Sequence, residues 1–156
     1  MAIAITLKEY LHNHHSLFEV IEHRRTDSAL RTAEAAHVPG DQMVKSVLLG
    51  DDDSYLLAVI PATHSLRLQD LAKLTGRHLT FINEAELSQA FADCEPGALP
   101  PVGSPYGIET LVEARLFQQQ DLYFESGDHC RLIHMSVEAF RDLQDEAQIG
   151  VFSQHL

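Results

Sequence analysis

Apolar and polar residues alternate along this chain in blocks that predict hairpins separated by short helices. The clearest block is a pair of apolar runs, MVKSVLLG at 43–50 and YLLAVIPA at 55–62, joined by the acidic stretch GDDDS. This pattern predicts a β-hairpin. Shorter apolar runs predict further strands at 17–23, 78–82, 110–116, 122–126 and 131–135. Gly127 and Asp128 are typical turn residues and connect the last two of these strands.

Helical spacing of apolar residues predicts five helices. The first covers residues 6–14 and begins with a capping box, Thr6 followed by Glu9. The other four are predicted at 30–37, 68–74, 85–91 and 137–143. Gly76 is expected to end the third helix, and Asn83 is expected to cap the fourth. The order of elements predicts an α+β fold, with a curved, mixed, mainly antiparallel sheet surrounded by helices.

Composition favours one globular domain over residues 1–156. Hydrophobic residues make up 45% and charged residues 22%, a balance that allows a sizeable core. The segment MAIAITLKEYLHNHH lacks the basic region and long apolar run of a signal peptide, and no run approaches the ~18 apolar residues that span a membrane. We therefore expect a cytoplasmic protein with no membrane partner. Cys94 and Cys130 lack CxxC spacing, so no disulfide framework is predicted.

The formal net charge of −12 limits the partners that the protein can have. Sequence-independent binding to nucleic acid depends on Lys and Arg residues that neutralise phosphates. The charge therefore argues against a DNA partner, and any contact with nucleic acid must be local.

A loop rich in proline and glycine, DCEPGALPPVGSPYG at 93–107, interrupts the pattern of strands and helices. Proline fixes φ and removes a donor, whereas glycine lets another group approach the backbone closely. The composition predicts a stiff loop with exposed backbone N–H and C=O groups.

Two further places carry candidate chemistry. Lys45 lies within the apolar run at 43–50, where it is either an outward-facing residue of a half-exposed strand or a lysine that holds a phosphate or polarises a leaving group. Asp128 stands beside His129, where it either orients the imidazole for acid–base work or satisfies N–H groups of its own turn. The pattern leaves both pairs of alternatives open.

Metal and nucleophilic chemistry find little support in the sequence. His12, His14 and His15 in HNHH form the basis of one hypothesis, a metal-dependent hydrolase. No HExxH or carboxylate-rich pattern accompanies them, so we predict neither a metal nor another cofactor. A GxSxG nucleophile motif is also missing.

Three separated features together resemble one family. They are Lys45 within HVPGDQMVKSVLL, the GxxxP loop GALPP at 97–101, and the stretch SGDHCRLIHMS at 126–136. In order and spacing they resemble the YbaK and prolyl-tRNA synthetase editing-domain family of aminoacyl-tRNA deacylases, from about residue 17 to about residue 143. The resemblance implies a freestanding trans-editing hydrolase. Such a protein cleaves the ester of a mischarged tRNA, usually tRNA-Pro carrying Ala, Ser, Cys, Thr or a related small residue.

The same resemblance implies roles for individual residues. Lys45 would contact the phosphate or ribose of the terminal adenosine, and Gly97, Ala98 and Leu99 would offer backbone groups to the aminoacyl carbonyl and the attacking water. The residues implied to bind substrate are Ser46, Pro100, Pro101, Ser126, Gly127, Asp128 and His129. Assistance from the ribose 2′-hydroxyl would explain why no general base is evident. In this family the segment at 24–37 helps to wall the amino-acid pocket.

The deacylase hypothesis predicts the acceptor end of an aminoacyl-tRNA as the partner. Because few basic residues could grip the tRNA body, recognition would be confined to that end, or a synthetase or other translation partner would present the tRNA. The alternative function is a non-catalytic module that binds a tRNA end or nucleotide with the same fold.

Overall fold

The computed structural model describes residues 3–156. Its helices are α1 Ile5–Asn13, α2 Ala29–Ala35, α3 Leu68–Thr75, α4 Glu84–Ala90 and α5 Val137–Leu143. Its strands are β1 Glu19–Glu22, β2 Met43–Gly50, β3 Tyr55–Pro61, β4 His64–Leu66, β5 Thr80–Phe81, β6 Glu109–Glu113, β7 Asp121–Glu125, β8 Arg131–Ser136, β9 Gln148–Gly150 and β10 Ser153–His155. Short 3-10 helices cover Gly40–Gln42, Ser104–Tyr106 and Ala114–Gln118.

One large sheet organises the molecule, with the strand order β1-β8-β7-β2-β3-β6-β9 and with β5 paired to β2. The pairs β1–β8, β7–β8, β2–β3 and β2–β5 are antiparallel, whereas β2–β7, β3–β6 and β6–β9 are parallel. Strands β4 and β10 form a separate antiparallel pair. The sheet is therefore mixed and mainly antiparallel, which confirms the predicted α+β class.

Both faces of the sheet are buried, which explains why the central hairpin reads as two continuous apolar runs. On one face, α1 and α5 pack against a core that includes Val44, Leu48 and Phe124. On the other face, α3 packs over a cluster around Leu49, and α2 packs over a smaller cluster around Met43. No helix within residues 3–156 has the length and apolar character needed to cross a membrane.

The strongest local patterns are confirmed by the structure. Strands β2 and β3 form the predicted hairpin, with Gly50 opposite Tyr55 at its tip. Asn83 caps α4 by accepting a hydrogen bond from the Glu86 N–H at 2.9 Å. Gly76 ends α3 in the left-handed conformation, with φ of 67°.

Two local predictions are wrong. Thr6 does not cap α1, because the helix begins one residue earlier and the Thr6 N–H donates to the distant Asp93 carboxylate at 2.8 Å. The predicted strand at 110–116 ends at Glu113, whose carboxylate accepts the Arg115 N–H at 3.1 Å and caps a 3-10 helix. The short strands β4, β9 and β10 do not correspond to any predicted strand.

Candidate active site at the end of strand β7

Two of the predicted site segments, Lys45–Ser46 and residues 126–129, lie where β7 ends beside β2. The two strands run parallel, and their pairing stops at Val44 opposite Phe124. The next residues are Lys45 and Ser46 on β2, and Glu125 followed by the 126–129 turn on β7. Because paired parallel residues share a face, Lys45 and Glu125 project from the face that α2 covers. Lys45 therefore lies beside the turn that the sequence marked as a second site segment.

Residues 126–129 form a buried turn whose polar groups are largely committed to the fold. Asp128 accepts hydrogen bonds from the N–H groups of Cys130 and Arg131, each at 2.9 Å, and from the Arg131 guanidinium at 2.8 Å. The Ser126 hydroxyl donates to the Arg131 carbonyl at 2.9 Å. Asp128 thus satisfies its own turn, and no hydrogen bond among the described residues joins it to His129.

Gly127 has a structural reason to be glycine. Its φ is 110°, and a Cβ added there would lie 2.7 Å from the Cβ of Ala4. Its carbonyl accepts the Glu95 N–H at 2.8 Å, which fastens the turn to the proline-rich loop.

His129 provides the second link between the turn and the loop. Its Nε2 lies 2.7 Å from the Pro96 carbonyl oxygen. A carbonyl only accepts hydrogen bonds, so Nε2 carries the hydrogen and the neutral ring leaves Nδ1 as an acceptor. Gly97 follows with φ of 84°, and a Cβ at that position would lie 3.2 Å from the His129 ring. The imidazole and the first glycine of the loop are therefore held in contact.

The proline-rich loop is less exposed than its composition predicts. Gly97 is exposed, but residues 98–103 are buried, and Leu99 belongs to the main core cluster. The prediction of a bare surface of backbone groups is therefore wrong, because the prolines have no N–H that needs solvent and the apolar side chains of the loop pack into the core.

The backbone N–H groups of this loop differ in availability. The Ala98 N–H donates to the Glu95 carbonyl at 3.1 Å. No hydrogen bond within residues 3–156 uses the N–H of Gly97 or of Leu99. Among the three residues implied to contact the aminoacyl carbonyl, Gly97 and Leu99 keep an available donor and Ala98 does not.

The base of the loop is anchored by a buried cysteine. The Cys94 thiol lies 3.4 Å from the Tyr106 hydroxyl and 3.5 Å from the Asp93 carboxylate. Burial raises the pKa of Cys94 to about 12. At the far end of the loop, the Pro101 carbonyl accepts the Gln144 side-chain amide at 2.6 Å. Both ends of the loop are therefore tied to the body of the domain.

Lys45 keeps its ammonium largely uncommitted. Its Nζ makes one hydrogen bond among the described residues, at 3.5 Å to the Ala62 carbonyl, which is long for such a bond. Burial lowers the pKa of Lys45. The neighbouring Ser46 projects to the opposite face, and its buried hydroxyl has no hydrogen-bond partner among the described residues. The structure shows no bond from Lys45 or Ser46 to the loop at 97–101.

A cleft of about 630 Å³ opens beside His129. Its lining residues are Arg24, Arg25, Thr26, Asp27, Arg31, Glu84, Pro96 and His129. We call residues 24–31 the arginine wall. The resemblance marked the segment at 24–37 as a wall of the pocket but gave no role to these arginines, although their grouping in RRTDSALR, in a chain with 11 Lys and Arg residues, is a visible signal.

The arginine wall is connected to the proline-rich loop by an ion pair. Arg25 Nη2 lies 2.8 Å from Glu95 Oε1, and this hydrogen bond lowers the pKa of Glu95. Arg31 lies 3.7 Å from Asp27, but both side chains are well exposed, so that pair contributes little. Arg24 makes no side-chain hydrogen bond or ion pair among the described residues. The cleft thus presents guanidinium groups in an otherwise acidic protein.

The structure brings the 96–97 turn, His129 and the arginine wall together around one cleft, with Lys45 and Ser46 at the neighbouring end of β2. Ser126, Gly127 and Asp128 lie behind the cleft as structural residues of the turn. Pro100 and Pro101 are buried beneath it.

Comparisons with known proteins give the same picture. A family model described as an aminoacyl-tRNA editing domain matches residues 23–143. Among solved structures, a protein assigned as a trans-editing enzyme for prolyl tRNA synthetase superposes with a TM-score of 0.84 at 20% identity, covering 97% of this chain and 96% of that one. Hypothetical protein APE2540 superposes with a TM-score of 0.85 at 18% identity, covering 96% and 99%. No curated protein matches this chain.

A third solved structure, assigned to signal transduction in Marinobacter aquaeolei VT8, matches 97% of this chain but 31% of its own length, with a TM-score of 0.75 and 22% identity. At these identities the structural likenesses show the fold alone. The family model, in contrast, spans more than three quarters of the chain. The chain therefore belongs to the aminoacyl-tRNA editing domain family, which implies an aminoacyl-tRNA as substrate and hydrolysis of its ester as activity.

Proposed function

We propose that the protein is a trans-editing deacylase, which hydrolyses the ester of a mischarged tRNA after the synthetase has released it. The expected substrate is tRNA-Pro that carries a small non-cognate amino acid. One observation carries the proposal: His129 and Gly97 are held in contact beside a cleft, at the end of the strand pair that presents Lys45.

The loop backbone supplies the chemistry in this proposal. Ester hydrolysis develops negative charge on the carbonyl oxygen, and preorganised N–H groups stabilise that charge. The N–H groups of Gly97 and Leu99 have no partner among the described residues, so they are available to the substrate, whereas the Ala98 N–H is used within the loop. Pro100 and Pro101 limit the movement of these donors, which keeps their reorganisation cost low.

Lys45 binds the phosphate or ribose of the terminal adenosine in this proposal. Its ammonium carries three donors and spends one of them on a long contact with Ala62. Partial burial strengthens the attraction between this cation and a phosphate, because the local dielectric is lower than that of water.

His129 and the arginine wall surround the aminoacyl group. Because the Nε2–H of His129 is held by Pro96, the Nδ1 lone pair is the atom that remains to accept a hydrogen bond from the substrate. We assign activation of the attacking water to the ribose 2′-hydroxyl of the substrate itself, as the resemblance implies, rather than to Asp27, Glu84 or His129 of the cleft lining. A tRNA with a terminal 2′-deoxyadenosine should then be bound but hydrolysed slowly.

The function is tested by release of amino acid from tRNA-Pro charged with Ala, Ser, Cys, Thr or Pro. Wild-type protein is compared with Lys45→Ala and with Lys73→Ala, a control that removes an exposed lysine from α3. We expect selective hydrolysis of a small non-cognate species, reduced by ~10² or more in Lys45→Ala and unchanged in Lys73→Ala. Circular dichroism checks that both variants are folded.

Equal rates for Lys45→Ala and wild type would remove Lys45 from the site. Binding of the tRNA end without hydrolysis of any species would favour the non-catalytic module instead. Steep weakening by salt, as if many phosphates were neutralised, would contradict recognition confined to the acceptor end.

A further inference from the structure

A buried polar pair lies directly behind the arginine wall. The His23 side chain is fully enclosed, and its Nε2 lies 4.0 Å from Oε1 of the buried Glu125. Within residues 3–156, His23 Nε2 and Glu125 Oε2 have no hydrogen-bond partner. Neither residue has a role in the proposed chemistry. Buried polar atoms without partners are costly, so their retention beside the cleft requires an explanation.

The hydrogen on His23 can be assigned from its surroundings. Its Nδ1 lies 2.7 Å from the Arg24 carbonyl oxygen, which only accepts hydrogen bonds. Nδ1 therefore carries a hydrogen, and in the neutral form of the imidazole the Nε2 lone pair faces Glu125. An ionised Glu125 would place a second acceptor opposite that lone pair. A proton held on Glu125 removes the conflict.

The groups around Glu125 do not neutralise a carboxylate. From α2, the Thr32 hydroxyl donates to Oε1 at 3.0 Å. From the adjacent turn and loop, the facing groups are the anions Asp128 and Glu95, which are paired with Arg131 and Arg25.

Lys45 projects from the same face of the neighbouring strand, but among the described residues its ammonium makes no ion pair with Glu125 and only a long contact with the Ala62 carbonyl. Burial is the main cause that raises the pKa of Glu125, to about 8. A proton is therefore retained at this site near neutral pH.

Both members of the pair are attached to the arginine wall. His23 precedes Arg24 directly, and its ring holds the Arg24 carbonyl. Glu125 holds Thr32, whose hydroxyl makes a short contact with the hydroxyl of Thr26, a residue that lines the cleft. The pair is therefore joined to the wall directly at Arg24 and indirectly, through Thr32, at Thr26.

We propose that Glu125 keeps one buried proton opposite His23, and that the two residues act as positioning residues that hold the arginine wall in its substrate-binding geometry. The inference rests on the proposed deacylase function. When the proton leaves at alkaline pH, an unpaired carboxylate faces the imidazole lone pair, and the wall separates from the sheet to admit water. Substrate binding then weakens, while the loop donors of the reaction stay in place.

The test is the pH dependence of KM and kcat for the charged tRNA that the wild type hydrolyses best, corrected for uncatalysed hydrolysis. The variants are Glu125→Gln, which is permanently neutral, and Glu34→Gln, a charge-matched control on the exposed side of α2. At pH 9 only about one tenth of the wild type keeps the proton, so its KM should rise about tenfold over the value at pH 7. The KM of Glu34→Gln should rise as much as that of the wild type, and the KM of Glu125→Gln should not rise.

Titration of the substrate ammonium affects all three proteins alike, so it cancels in the comparison. A KM for Glu125→Gln that rises as in the wild type would overturn the proposal, as would an effect confined to kcat. If Glu125→Gln fails to fold, His23→Gln provides a second comparison, because the glutamine NH2 group can donate to an ionised Glu125, so the KM of this variant should rise less with pH than that of the wild type.

A second measurement does not depend on activity. Long-range ¹H–¹⁵N NMR should show His23 as the neutral Nδ1–H tautomer at pH 7, with a change near pH 8 that is lost in Glu125→Gln. A hydrogen on Nε2 at pH 7 would overturn the inference. If no charged tRNA is hydrolysed, the proposed function fails. The NMR titration still decides whether Glu125 keeps its proton opposite His23.

Discussion

Two buried glutamates at the ends of strands differ in ionisation, because their pKa values are shifted in opposite directions. Glu113 ends β6 and Glu125 ends β7, and their exposed fractions are 0% and 5%. Burial disfavours the ionised form of both. The pKa of Glu113 is nevertheless lowered to about 2, whereas the pKa of Glu125 is raised to about 8.

The number of donors explains the difference. Glu113 Oε1 accepts the N–H groups of Phe152 and Ser153, each at 3.0 Å, and the Ser153 hydroxyl at 2.8 Å, while the Arg115 guanidinium reaches both carboxylate oxygens. Among the residues that the structure describes, only Thr32 donates to Glu125. Hydrogen bonds to the charged form thus outweigh desolvation at Glu113 but not at Glu125.

The two carboxyl groups also serve different parts of the fold. Glu113 fastens the C-terminal segment through Phe152 and Ser153, far from the cleft. Glu125 lies behind the arginine wall. Glu113, whose carboxylate is fully hydrogen-bonded, holds the C-terminal segment in place. Glu125, which has few hydrogen-bond donors, lies next to the candidate site, and shifted pKa values are common at functional sites.

Substitution of Glu113 should have the largest effect on stability. Glu113→Ala leaves Arg115 and two backbone N–H groups without their acceptor, so we expect the free energy of unfolding to fall by about 3–5 kcal/mol. Urea denaturation at pH 7 measures this loss of unfolding free energy. Glu109→Ala, at the exposed start of the same strand, is the control and should cost less than about 1 kcal/mol. Equal costs would show that the donors around Glu113 add no stability.

The second largest effect should be the dependence of stability on pH that the ionisation of Glu125 causes. The folded-state pKa of Glu125 lies above its ordinary value of 4.5, so the folded protein binds this proton more tightly than the unfolded chain. The stability that this proton contributes is present below pH 4.5 and is lost as pH rises through 8. The unfolding free energy of Glu125→Gln relative to wild type should therefore increase by about 3 kcal/mol between pH 5 and pH 8. A difference that stays constant with pH in urea denaturation would show that Glu125 ionises normally.

Loss of the single donor to Glu125 should have a smaller effect. Thr32→Val removes the hydroxyl that links Glu125 to α2, and we expect a loss of about 1–2 kcal/mol in thermal denaturation. Thr32→Ser keeps the hydroxyl and should retain most of the stability. If the serine variant is as unstable as the valine variant, packing rather than the hydrogen bond accounts for the loss.

Loss of one donor among several should have the smallest effect. Ser153→Ala removes one hydroxyl bond to Glu113, together with the contact of that hydroxyl with His64 Nδ1, and leaves the other donors to Glu113 in place, so the expected loss is about 1 kcal/mol. The comparison with Thr32→Val, made in the same denaturation experiment, tests directly whether surplus donors protect a buried carboxylate. A larger loss for Ser153→Ala would contradict this explanation.

Much of the fold could be predicted from local patterns. The β2–β3 hairpin and the Asn83 cap depend on residues close together in sequence, and both predictions are confirmed. The cap of α1 could not be found in this way, because it comes from Asp93, 87 residues away. Strands β4, β9 and β10 are three residues long, too short for alternation to identify them.

The candidate site was predictable in its parts but not in its arrangement. The segments containing Lys45, Gly97 and His129 were marked by the resemblance, and the structure places them at one end of β7. Which N–H groups of the loop stay available depends on the Ala98–Glu95 bond, which composition does not reveal. The pairing of His23 with Glu125 joins residues about a hundred positions apart, so it had no local signature.

The alkylation rate of Cys94, the buried cysteine at the base of the proline-rich loop, can report how often this loop opens. Cys94 stays a protonated thiol at neutral pH and is shielded from solvent, so an alkylating reagent reaches it only when the loop lifts. Cys130, which is half-buried, provides an internal reference in the same molecule. The ratio of the two labelling rates, measured by mass spectrometry, would report how often the loop opens, without any substitution in the protein.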